Sequence, residues 1–71
     1  MKRTTVESSN IAEIGYEESS QTLEVQFLNG NVYQYFDIPS HIAGEFISKS
    51  GGSHGKYLNS QIKGRYRFSK V

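Results

Sequence analysis

Lys56-Tyr57 and Lys63-Gly64-Arg65-Tyr66-Arg67-Phe68-Ser69-Lys70 interleave cations with aromatic rings. That combination suits a single-stranded nucleic acid, whose phosphates are tracked by cations while ring faces stack its bases at about 1–3 kcal/mol each. Four or five phosphate contacts would give a log–log salt slope of roughly −0.7 per contact. The predicted anion-facing set is Lys56, Lys63, Arg65, Arg67 and Lys70, with Tyr66 as the stacking ring. Lys56 and Lys63 are seven residues apart, two turns along one helical stripe. In an extended tail Arg65 and Arg67 share a face, and a bend at Gly64 would let that face continue the stripe. The plainer account is that Tyr57, Tyr66 and Phe68 are half-buried packing residues, Phe68 foremost, whose basic neighbours keep an edge soluble.

Other chemistry finds less support. His41 and His54 are the only histidines, and neither stands at a metal-ligand spacing from another His or Asp. Ser8-Ser9 and Ser19-Ser20 lack the Gly-x-Ser-x-Gly context of a nucleophile elbow. Glu17-Glu18 are adjacent in a polar turn, where neither is desolvated enough to serve as a tuned acid or base. Ser50-Gly51-Gly52-Ser53-His54-Gly55-Lys56 has the glycine content of an anion-binding loop ahead of a helix. Its Gly51 and Gly55 are four apart rather than five, and Tyr57 follows the Lys, so it is not a nucleotide-hydrolysing P-loop. A flexible linker, or at most a single phosphate contact, fits it. The sequence predicts no enzyme, no cofactor and no metal.

Length and charge set the frame for these residues. Seventy-one residues predict one domain, 1–71, burying only about 60% of the surface its unfolded chain exposes. Cysteine is absent, so no disulfide or thiolate site helps, and a cytoplasmic setting is expected. The basic start MKRTTVESSN leads into no apolar run, so no signal peptide is expected, and nothing approaches the ~18 apolar residues of a membrane span. The net charge of +1 hides a polarised chain: all seven acids lie within the first 45 residues, whereas Lys49, Lys56, Lys63, Arg65, Arg67 and Lys70 follow Phe46 with no acid among them. A basic third beside an acidic body points to an anionic partner, or simply to a solvated basic face.

The elements that must position these residues read as follows. Ile11–Glu17 is a strand with Ile14 and Tyr16 on one face. Thr22–Leu28 alternates strictly, with Leu23, Val25 and Phe27 on the buried side. Asn29-Gly30 signals a hairpin, and Val32–Ile38 is the returning strand. Pro39 opens a helix over Ser40–Lys49 that buries Ile42, Ala43, Phe46 and Ile47, and Gly51-Gly52 ends it. A second helix spans Ser53–Lys63, with Ser53 as its N-cap, Tyr57, Leu58 and Ile62 inward and Gly64 just past its end. Arg65–Phe68 is an extended edge segment or short strand. The expected fold is α+β: a three-stranded antiparallel meander, two short helices on one face, and a basic C-terminal tail or short strand.

One order of residues spans nearly the whole chain, from Val6 to Phe68. It runs Ser8-Ser9, Ile14-Gly15-Tyr16, Leu23-x-Val25-x-Phe27-x-x-Gly30-x-x-Tyr33-x-Tyr35-x-x-Ile38-Pro39, then Ser53-x-Gly55-x-Tyr57-x-Asn59-x-x-Ile62-x-x-x-Tyr66. This order resembles the KTSC domain, a family named for the C-terminal extension of some lysyl-tRNA synthetases and found also as stand-alone proteins. The chain departs from the family pattern at Ser50-Gly51-Gly52. The resemblance implies no catalytic residues, and through the synthetase attachment it implies RNA as a partner.

Tyr33 and Tyr35 can face either way. A two-residue type I′ turn at Asn29-Gly30 pairs Phe27 with Val32 and sets both tyrosines beside Glu24 and Gln26 on the open face. A three-residue loop, Leu28-Asn29-Gly30, slips the register by one and turns both tyrosines to the core. The first arrangement buries the purer apolar set, with Gln34 its odd member, and is preferred here. Two functions follow. One is a module binding RNA or single-stranded nucleic acid through the basic C-terminal surface with Tyr33 and Tyr35. The other is an adaptor docking on a larger protein through the Tyr33/Tyr35 face.

Overall fold

The hairpin takes the three-residue loop, and the rest of the architecture follows from that register. In the computed structural model, which describes residues 3–6, 10–48 and 54–71, Val25 pairs with Tyr33 and Leu23 with Tyr35. The Phe27 N–H donates to the Asn31 carbonyl (2.8 Å) and the Gly30 N–H to the Phe27 carbonyl (2.9 Å). Gly30 adopts φ +93° whereas Asn29 keeps a negative φ, which rules out the type I′ turn, since that turn needs positive φ at both central residues. The Asn29 side chain instead accepts from the Asn31 N–H at 3.0 Å. The preferred sequence reading is thereby corrected: Tyr33 and Tyr35 stand on the same face as Leu23 and Val25. The physical reason lies in the pairs that this register makes. It sets Gln34 opposite Glu24, where their side chains bond at 2.8 Å, whereas the alternative puts Gln34 among the apolar set.

The sheet has five antiparallel strands rather than three, in the order β1 (Arg3–Thr5), β2 (Ile11–Glu17), β3 (Thr22–Phe27), β4 (Val32–Tyr35) and β5 (Phe68–Lys70). A bulge between Ile11 and Glu13 lets Ile11 and Ile14, three apart, both face the core. β4 is shorter than expected because Asp37 takes φ +60° and turns the chain out of the ladder. Ile38 is delivered into the core, where its carbonyl accepts from the Tyr16 hydroxyl at 2.5 Å.

Between β4 and β5 lie α1 (Ser40–Ser48) and α2 (His54–Tyr57), the latter widening into a π-helical turn over Leu58–Ile62. The Lys63 N–H closes that turn on the Leu58 carbonyl at 2.7 Å, and Gly64 at φ +85° ends it. Predicted positions Lys49, Gly51-Gly52 and the Ser53 cap lie outside the described residues. Both helices cover one face of the sheet. Ala43 and Phe46 of α1, and Tyr57, Leu58 and Ile62 behind it, complete a core with Ile11, Ile14, Leu23, Val25, Tyr35 and Ile38. Phe46 and Tyr57 stack with centroids 5.7 Å apart. Phe27, expected wholly inside, is only half-buried. Among the described residues no helix is long and apolar enough to cross a membrane.

Candidate nucleic-acid interface

The helices do not reach the end of the face they cover. Beyond them, on the same side of the sheet, Phe27 and Tyr33 meet edge to face (5.7 Å, 87°), and Phe68 leans against Tyr33 (5.9 Å) and Tyr35 (5.8 Å). These four rings floor an open groove of about 290 Å³, rimmed by Asn29 and Asn31 from the hairpin loop and by Lys63 from the end of the π-helical turn. Phe68 keeps 54% of its surface exposed, while Tyr35 keeps only 2%. Burial pushes the Tyr35 hydroxyl up from its ordinary pKa, so it stays neutral at physiological pH.

Register places the remaining cations. Lys70 pairs with Tyr33, and directly paired residues share a face, so Lys70 belongs to the groove side. The Phe36 N–H donates to the Arg67 carbonyl, which puts Arg67 on the opposite face. There its guanidinium lies 5.9 Å from the Phe36 ring and 3.3 Å from the Asp37 carboxylate. Arg65 sits in the turn after Gly64 rather than in an extended tail, so Arg65 and Arg67 do not continue the stripe of Lys56 and Lys63. Lys56 and Arg65 are exposed, and Tyr66 is half-buried against the core. The structure therefore gathers Tyr33, Tyr35, Lys63 and Lys70 and parts them from Arg67. Phe27, Asn29, Asn31 and Phe68 join the groove without having been expected there. Only the hairpin register could have revealed the first three, whereas Phe68 stood in the basic–aromatic segment but reads more simply as packing.

The opposite face of the sheet is built on other terms. Arg3, Gly15, Glu24 and Gln34 form one row across β1 to β4. Because Gly15 has no side chain, the Arg3 guanidinium crosses it to reach Glu24 (2.7 Å) and the Gln26 amide (2.7 Å), with Glu13 at 3.3 Å. The Gln34 amide and Arg3 hold the Glu24 carboxyl below the usual carboxylate range, against the opposing pull of its burial.

Comparison with known proteins identifies the fold. The KTSC domain model matches residues 7–66. The chain belongs to the KTSC domain family. A crystal structure of a KTSC domain protein from Yersinia pestis superposes with a TM-score of 0.87 at 34% identity, covering 99% of this chain and 96% of that one. A lysine–tRNA ligase of Nostoc punctiforme is 34% identical over 65 residues, and a Stutzerimonas stutzeri protein is 31% identical over 72. The match covers 92% of this chain but 11% of the ligase, against 99% of the Stutzerimonas protein.

Within this KTSC domain, and among the described residues, Lys56, Lys63, Arg65 and Lys70 have no carboxylate within ion-pair distance, unlike Arg3 and Arg67. No described group of three His, Asp or Glu residues is placed to hold a metal.

Proposed function

We propose that this KTSC domain is a non-catalytic module that binds single-stranded nucleic acid, RNA in the first place, through the aromatic groove. The observation that carries the reading is the meeting of partly exposed rings with cations that have no described acidic partner: Tyr33, Phe27 and Phe68 lie on the side of the sheet that holds Lys63 and Lys70, and among the described residues no acid lines the groove. A base entering it exchanges water for ring faces, which is worth about 1–3 kcal/mol per stacked base. Its phosphate meets an ammonium whose charge is not already spent. Lys56 and Arg65 add positive potential that steers an anionic strand toward the surface. Tyr66 supports the turn that carries Lys63, and Arg67, on the far face, is left out of the contact. The likeness to lysine–tRNA ligases makes RNA the strand to test first.

The test is an NMR titration of the full chain with a mixed-sequence RNA at low salt. Shift changes centred on Tyr33, Phe68, Lys63 and Lys70 that fade as salt is raised support the reading. No shift at low salt overturns it. The other function for this face is an adaptor docking on a larger protein through Tyr33 and Tyr35, with the exposed Phe68 as its apolar anchor. Binding of that kind withstands added salt, so salt dependence separates the two.

A further inference from the structure

We infer that the groove accepts one nucleotide at a time, a strand end or a base turned out of its stack, and that it is not a track for successive bases. The inference rests on the nucleic-acid reading above and narrows it. Three observations carry it. The first is size: about 290 Å³ falls at the small end of ligand pockets, which run from roughly 300 to 1,000 Å³.

The second is the inclination of the rings. Stacking several bases in sequence needs several ring faces presented in parallel. Here Phe27 and Tyr33 stand at 87°, Tyr33 and Phe68 at 48°, and Tyr35 and Phe68 at 36°. Rings tilted in this way line a cradle around one planar guest and leave no level surface for a second. The hairpin loop closes one side of the cradle with Asn29 and Asn31. The Asn29 carbonyl oxygen already accepts from the Asn31 N–H, so its amide N–H groups remain to donate to the edge of a base.

The third is charge. Among the described cations, Lys63 lines the groove and Lys70 shares its side of the sheet, whereas Arg67 is turned away and paired with Asp37. Two cations serve the phosphates on either side of one nucleotide. A strand tracked over several nucleotides would need more.

Calorimetric titration of the full chain with uridine monophosphate, the 5′-phosphorylated dinucleotide pUpU, which carries a phosphate on either side of its first nucleotide, and a ten-residue oligouridine, at two salt concentrations, tests this. The expected result is equal affinity per site for dinucleotide and decamer. Two phosphate contacts predict a loss of about sevenfold between 50 and 200 mM salt, where four or five predict about fiftyfold or more. Phe68→Ser should weaken binding about tenfold, the size of one base–aromatic stack, without changing the salt response. Lys63→Gln should reduce the salt response to about threefold, as for one contact. Both side chains are exposed, and thermal melts confirm that the variants fold. A decamer that binds far more tightly per site than pUpU, with the steep salt response, overturns the single-nucleotide inference and leaves nucleic-acid binding standing. Absence of binding by all three ligands at low salt removes both.

Discussion

The two faces of this sheet handle polar groups in opposite ways. On the face away from the helices, Arg3, Glu13, Glu24, Gln26 and Gln34 bond to one another, and Glu24 is 9% exposed. Charges that satisfy each other across four strands hold the strands together and have little left to offer a ligand. On the helix side, Lys63 and Lys70 stand beside rings that the helices leave bare, and no described carboxylate meets them. Unpaired cations beside a partly uncovered aromatic surface suit an anionic planar guest, since ring faces stack a base and the cations meet its phosphate. Counting cations does not separate these faces. Tracing each one to its partner does.

The largest test of the comparison sets the covered half of the helix side against the open half. Phe46 is fully buried against Tyr57 and His54, so Phe46→Ala should cost about 3–5 kcal/mol. A domain this small has a total stability of roughly the same size, so the variant should be largely unfolded at room temperature. Phe68→Ala removes a ring that is 54% exposed and should cost about 1 kcal/mol, from partial loss of its buried area. Urea titrations of the two variants decide the matter. Similar losses would mean that the groove rings belong to the core and are not held open for a ligand.

How far the sequence reveals this layout depends on the residue. Strict alternation placed β3, the shared face of Ile14 and Tyr16 placed β2, and 3.6-residue spacing found the inward side of both helices, because those patterns record burial directly. The hairpin register could not be read in the same way. Asn29-Gly30 serves two- and three-residue loops alike, and the choice turns on tertiary terms: the Glu24–Gln34 bond and the covering of Tyr35 by the helices. The face of Tyr33 and the membership of Phe27, Asn29 and Asn31 in the groove depend on that one step. β1 was missed because Arg3-Thr4-Thr5 carries no apolar signal. It is held by ladder pairing and by an arginine reaching over Gly15, a relation between distant residues. The π-helical turn over Leu58–Ile62 carries no Gly or Pro to mark it.

The next effect probes the bonded face. Arg3→Ala strips the Glu24 carboxylate of a charged partner while leaving it buried, and hydrogen bonds to charged groups contribute about 1.5–3 kcal/mol. Acid provides a second view. The folded state lowers the Glu24 pKa, so the stability it contributes is present above the ordinary carboxylate value of about 4.3 and is lost as pH falls through the lower folded value. Wild type should therefore lose melting temperature on acidification below about pH 4 more steeply than Glu24→Gln, and the gap between them should close. A constant gap from pH 7 to pH 3 would show that the carboxylate's charge does not matter to this face.

The smallest effect concerns the one basic residue of the C-terminal segment that the structure places on the bonded side. Arg67 and Asp37 meet at 3.3 Å with side chains 80% and 73% exposed, a setting in which water and salt screen the pair. Arg67→Gln should change stability by no more than about 0.5 kcal/mol, and added salt should erase even that. Its value lies in binding. β5 is the edge of the sheet, with Lys70 and Phe68 pointing to the groove and Arg67 to the other face. If the guest stays in the groove, Arg67→Gln leaves RNA affinity and its salt response unchanged while Lys63→Gln alters both. Equal losses from the two substitutions would mean that the strand wraps around the β5 edge, and the division between a bonded face and a binding face would fail there.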